Sequence, residues 1–111
     1  MEITLQIEKA KLGDQTAFTF LLDYYWNEVY GFMLVRTENE TDAEDITIET
    51  FSKAFDKIAS YNSEFQFNTW LIAIAKNVHI DLLKIYRNKV INYYLSTIKS
   101  FSRKKFDFKF Y

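Results

Sequence analysis

The sequence predicts an all-α fold, a compact bundle of three long helices preceded by a short one, and three observations carry that prediction. Proline is absent, glycine occurs only twice (Gly13 and Gly31), and apolar residues return at intervals of three and four along separate stretches. A strand-rich fold of 111 residues needs many tight turns, and tight turns draw on the two residue types that are scarce here. Hydrophobic residues make up 49% of the chain, enough to bury a single core.

Each element follows in order. A short helix is expected from Thr4 to Leu12, with Leu5, Ile7 and Leu12 as its apolar residues and Gly13 as its end. Asp14 can cap a long second helix by accepting a backbone N–H bond at its start. Phe18, Leu21, Leu22, Tyr25, Val29, Phe32 and Met33 then mark its buried face, and Gly31 is expected to admit a closely packed neighbour. The polar run TENETD ends that helix. Thr41 and Glu44 match a capping box for a third helix that buries Ala43, Ile46, Phe51, Ala54, Phe55 and Ile58. SYNSEFQF has no helical period and reads as a loop. Asn68 is the expected cap of a fourth helix with Leu71, Ile74, Ala75, Val78, Leu82 and Ile85 on its buried stripe. The division expected is a helical domain over residues 1–87 and a basic, aromatic tail over 88–111, either a helical extension or disordered.

Composition excludes several classes. Cysteine is absent, which removes disulfides and thiolate metal sites. The first residues mix acids and lysines without an apolar segment, unlike a signal peptide, and no stretch approaches a membrane span; the expected location is the cytoplasm. The net charge of −1 hides a split: residues 1–83 hold six basic and fourteen acidic side chains, residues 84–111 eight and one. Any grip on nucleic acid must therefore be local. Catalysis finds no purchase. His79 is the one histidine, set among apolar neighbours in a helix, where a packed role is the ordinary reading. The acids around Asp42 and Glu49 lack the Glu-x-x-His pairs of a helical metal site, and no phosphate-cradling glycine loop is present. The chain reads as a binding protein, with no cofactor and no metal expected.

Three blocks in order carry a family resemblance. Gly13, Asp14, Ala17, Phe18, Leu21, Tyr25, Val29 and Tyr30 fit a GDxxAFxxLxxxYxxxVY pattern. DAEDITIETFSKAF follows, then a loop, then FNTWLIAIAKNVHIDLL. Together they resemble the second conserved region of the extracytoplasmic-function (ECF) sigma factors, whose blocks read close to DAEDLVQETFLKAW and FRTWLYRIAxNLxIDYLRR. The resemblance covers residues 13 to 87 and implies a promoter-melting domain, with core RNA polymerase and the promoter −10 element as partners and an anti-sigma factor as a further one.

The resemblance implies roles residue by residue. The acidic third helix would dock on the clamp helices of the polymerase largest subunit through Asp42, Asp45, Ile48, Glu49 and Lys53. The loop and fourth helix would hold a base flipped from the non-template strand, through Asn62, Ser63 and Phe65, with Asn77 on a base edge and Lys76, Lys84 and Arg87 on phosphates. Lys76, Asn77, Asp81, Lys84 and Arg87 fall opposite the buried stripe, whereas Trp70 and Phe67 read as core. Departures weaken parts of this pattern. Asn68 replaces a usual basic residue, Ile48 a frequent Gln, and LLKIYRNK is less basic than the family's cluster. No helix-turn-helix pattern for a −35 element follows Arg87, so a lone second-region domain, a truncated product or an engineered fragment is expected. The alternative is an interaction module, a sigma remnant that binds polymerase or an anti-sigma factor without directing transcription.

Overall fold

The computed structural model describes residues 2–109, with side chains through Phe101, and every regular element among them is helical. Helix α1 runs from Ile3 to Lys11, α2 from Gln15 to Thr37 and α3 from Glu40 to Lys57. A 3-10 turn at Ile58–Ser60 leads into a loop, and α4 spans Phe67–Lys109. Residues 1–79 and 80–111 form two compact units, taken separately below.

In the first unit, the ends of the helices follow from local chemistry. Gly13 closes α1 with φ of 87°, and its N–H bonds Ala10 while that of Asp14 bonds Lys9, satisfying the last carbonyls. A left-handed residue is required there, and glycine alone adopts it without steric cost. Asp14 then caps α2 as expected, its carboxylate accepting from the N–H groups of Thr16 and Ala17. The cap of α3 differs from expectation. Ala43 N–H bonds the Asn39 carbonyl, so the helix starts at Glu40, and the Asn39 amide oxygen accepts from Asp42 N–H at 2.9 Å. Thr41 and Glu44 thus lie inside the helix, where no capping box can form. The cap of α4 also moves. Its first bond runs from Trp70 N–H to the Gln66 carbonyl, which leaves Asn68 inside the first turn, its amide oxygen on Thr69 N–H.

α2 packs against both α1 and α3. Leu21, Val29, Met33, Ala43, Ile46, Ala54, Leu71 and Ala75 are sealed in the core. Thr47 and Thr50 join them; each hydroxyl donates to the carbonyl one turn back, at 2.6 and 2.7 Å, which is how a polar group is buried without loss. Several expected core positions are open. Of the apolar residues of α1, Ile7 is buried, whereas Leu5 and Leu12 face solvent. Phe32 is 36% exposed, because the side chains that approach its ring include two cations whose heads stay in water. Gly31 has open space where a Cβ would stand, so it admits no close neighbour.

The second unit is the remainder of α4. Residues 80–101 are exposed except the half-buried Leu82, and Ile85, expected on the buried stripe, is 51% exposed because no described residue covers it. Leu83, Val90, Tyr94, Ile98 and Phe101 recur at helical spacing as an open apolar face. The RKKFDFKFY segment falls outside the described side chains.

Two substitutions check the capping geometry. Asn39→Ala should cost about 1 kcal/mol in denaturant unfolding, and Thr41→Ala within about 0.5 kcal/mol of nothing. Gly31→Ala should instead stabilise by about 0.5–1 kcal/mol, since the helix gains propensity and the methyl meets no atom.

Candidate nucleic-acid interface

The loop before α4 is held from beneath and open above. Tyr61 is buried among rings, with centroids 5.1 Å from both Phe67 and Trp70, and its hydroxyl donates to the Phe65 carbonyl. The Asn62 amide oxygen accepts from Glu64 N–H at 3.0 Å, and Phe65 N–H bonds the Asn62 carbonyl at 3.1 Å. These bonds fold residues 62–65 into a turn that leaves the Phe65 ring 61% exposed. A concavity of about 460 Å³ lies beside it, lined by Ser63, Glu64, Phe65 and Gln66 from the loop and by Tyr24, Tyr25 and Glu28 from α2. Burial raises the Tyr25 phenol above its ordinary range, helped by Tyr24, Glu28 and Tyr61, and burial alone raises Tyr61. Both stay neutral near pH 7 and able to donate.

A second concavity of about 390 Å³ shares two walls with the first, Glu28 and Asn68. Its other walls are Phe32, Thr69, Ile72, Ala73 and Lys76. The structure thus joins Ser63 and Phe65 at one concavity and sets Lys76 at its neighbour. Asn62 and Asn77 are exposed but line neither, and the Asn62 amide is engaged in holding the turn. Lys84 and Arg87, in the second unit, are exposed, as is Asp81. Phe67 is buried and Trp70 half-buried, the packing role read from the sequence.

On α3, Asp45 and Glu49 are exposed one turn apart, with Ile48 51% exposed between them. Asp42 and Lys53 flank them, half-buried. No α3 residue lines the loop concavity.

One arrangement has no local sequence signal. Arg36, at the end of α2, donates from Nε to Nδ1 of His79 on α4 at 3.2 Å, and His79 is 8% exposed. The Arg36 guanidinium and the Lys76 ammonium lie 5.9 and 5.6 Å from the Phe32 ring centroid. The partners are 43 residues apart, beyond the reach of any periodicity.

Comparison with known proteins identifies the family and the fold. The family described as Sigma-70 region 2 matches residues 21–88. The chain is 38% identical over 95 residues to the ECF RNA polymerase sigma factor SigW of Bacillus subtilis, covering 86% of this chain and 49% of that protein. It is 35% identical over 79 residues to BldN of Streptomyces coelicolor, an ECF sigma factor, covering 70% of this chain and 30% of the relative. A sigma-E factor of Haemophilus influenzae is 39% identical over 71 residues, 64% of this chain and 37% of that one. The chain therefore spans half or less of the length of these relatives. The fold is similar, at a TM-score of 0.74 and 28% identity, to an engineered region 2 of sigmaE solved in complex with GTAAAA, covering 80% of this chain and 93% of that one.

The buried phenols predict an alkaline response. A raised phenol pKa keeps its full stabilising contribution below the ordinary value of about 10 and loses it as pH climbs past that value. Tyr25→Phe should therefore lose less stability than the parent between about pH 9 and about pH 11, read from urea midpoints. Tyr61→Phe should share that gain and also speed amide exchange at Phe65, since the hydroxyl no longer pins the turn.

Proposed function

This chain belongs to the sigma-70 region 2 family, with its relatives among the ECF sigma factors, and from that premise we propose that it is a transcription-initiation domain that binds core RNA polymerase and recognises and opens the −10 element. In this reading residues 1–87 are the promoter-melting domain and 88–111 its basic, aromatic extension. The observation that carries the reading is the open concavity beside Phe65, floored by neutral tyrosines and walled by an exposed aromatic ring. Unstacking one base costs a few kcal/mol, and an aromatic face offers roughly 1–3 kcal/mol in return, so a preformed pocket can hold an extruded nucleotide. Ser63 and Phe65 line that pocket, Asn62 shapes it, Asn77 reads a base edge, and Lys76, Lys84 and Arg87 neutralise phosphates. The similar region 2 of sigmaE, solved in complex with GTAAAA, supports an oligonucleotide ligand in this reading.

The polymerase contact is assigned to α3. Asp45 and Glu49 make no ion pair among the described residues, and Ile48 between them supplies apolar area. An acidic strip with an apolar centre suits a basic helical partner, where complementary charge sets orientation and on-rate. The clamp helices of the largest subunit are that partner, with Asp42 and Lys53 at the margin. An anti-sigma factor would compete for the same strip. The interaction-module reading differs in one respect: it keeps polymerase or anti-sigma binding and lacks any strand binding.

Three measurements test these roles. Pull-down with core polymerase should lose about ten-fold in affinity for Glu49→Lys, with single-stranded DNA binding unchanged. Titration of −10 oligonucleotides should show Asn77→Ala lowering discrimination between bases. Lys84→Ala should weaken all sequences alike and reduce the salt slope by about 0.7 on a single strand. Equal effects of Asn77→Ala and Lys84→Ala on every sequence would refute the division of labour. Polymerase binding without oligonucleotide binding would favour the interaction module.

A further inference from the structure

We propose that Arg36 and Lys76, gathered around the Phe32 ring, form a clamp for one backbone phosphate of the strand whose base enters the Phe65 concavity. The inference rests on the single-strand reading above and extends it to α2, a helix to which that reading assigned no phosphate contact.

The first support is electrostatic. Residues 1–79 carry six basic side chains and thirteen acidic ones, yet two of the six meet at a single ring. Neither has a carboxylate within 4 Å among the described residues. Two cations near one ring lack a counter-charge, and an anion beside that ring would supply it.

The second support is preorganisation. The Nε–H of Arg36 is spent on Nδ1 of His79. The two Nη groups make no hydrogen bond to the described residues, which leaves their N–H donors free for a phosphate oxygen. Because His79 is buried, it fixes the guanidinium plane before any ligand arrives. Phe32 holds both charges by its negative face, which accounts for a large aromatic ring left partly in solvent.

The third support is continuity. Lys76 and Phe32 line the concavity that shares Glu28 and Asn68 with the one beside Phe65. A strand leaving the Phe65 pocket thus enters a trough lined by the apolar Ile72 and Ala73 and by Lys76, with Arg36 reached through the Phe32 ring that they share. Glu28, on the shared wall, repels phosphate and favours seating it at the Phe32 end. This path favours a nucleic-acid backbone over an acidic protein segment.

The test uses the full chain and single-stranded DNA decamers chosen from a −10 library for tightest binding. Arg36→Gln and Lys76→Gln should each weaken binding about ten-fold at low salt, whatever the base sequence. Each should lower the salt slope by about 0.7, and the double variant should lower it no further, because both cations serve one phosphate. Methylphosphonate placed at each linkage in turn should identify one position at which the neutral linkage weakens the parent and erases its advantage over both variants. The clamp is overturned if the parent binds but no linkage shows that coupling, or if both variants keep the parent's slope. It is also overturned if Arg36→Gln lowers polymerase affinity while leaving strand binding intact, since the anion is then a protein carboxylate. Failure of the parent to bind any decamer sinks the strand reading and the clamp together. Should Arg36→Gln melt the domain, the exposed Lys76→Gln carries the linkage scan alone.

Discussion

The site depends on how the first turn of α4 is fixed to the rest of the first unit. Phe67 sits 5.2 Å from Tyr25 on α2 and 5.1 Å from Tyr61 below the loop, and Trp70 closes on both Phe67 and Tyr61. Each ring pair adds roughly 0.5–1.5 kcal/mol beyond its buried area, and none is a flexible aliphatic contact. The cluster fixes where the loop leaves and re-enters, so six residues span a short gap with little freedom. Phe65 stands on that pinned turn, its carbonyl accepting from the Tyr61 hydroxyl and its ring exposed.

The charge distribution separates structural acids from the others. Glu40 and Asp42 stand in the first turn of α3, where the helix dipole favours a carboxylate. Asp45 and Glu49 lie beyond that turn, gain almost nothing from the dipole and pair with no cation among the described residues. Their cost is mutual repulsion across one turn. A solvated helix start explains the first pair and leaves the second unexplained, whereas a basic partner explains both position and exposure.

Much of the fold was legible because helices announce themselves locally. The three-four spacing, the Asp14 cap and the glycine at the end of α1 depend on neighbours within five residues, and they hold. Errors fell where two local signals compete or where packing decides. Thr41 and Glu44 satisfy the capping-box pattern, but Asn39 stands two residues earlier and its amide reaches the Asp42 N–H first. Phe32 and Ile85 keep the period of their stripes and are nonetheless open, because periodicity gives direction but not whether a neighbour is there. Thr47 and Thr50 carry no core signal in the sequence, since a hydroxyl that returns its bond to the preceding turn looks polar in sequence and behaves as apolar in the fold. The candidate site was legible only through whole blocks that resemble a family. No residue of the loop betrays a pocket by itself.

The Arg36–His79 bond shows what such pattern reading misses and why residue type matters there. A lysine at position 36 would supply the same charge on a flexible stem, and its ammonium would choose between His79 and solvent. A guanidinium can spend Nε on the histidine and still present two further nitrogens in a fixed plane, so one group anchors while the other binds. The anchor comes from α4 and the cation from α2, which couples the helix that carries Asn77 to the helix that walls the Phe65 concavity. Any ligand held by Arg36 therefore reports on the relative placement of α2 and the His79 turn of α4. The rings around Phe67 pack the start of α4 against Tyr25, so the aromatic cluster and the cationic one join α2 to α4 at two separate points.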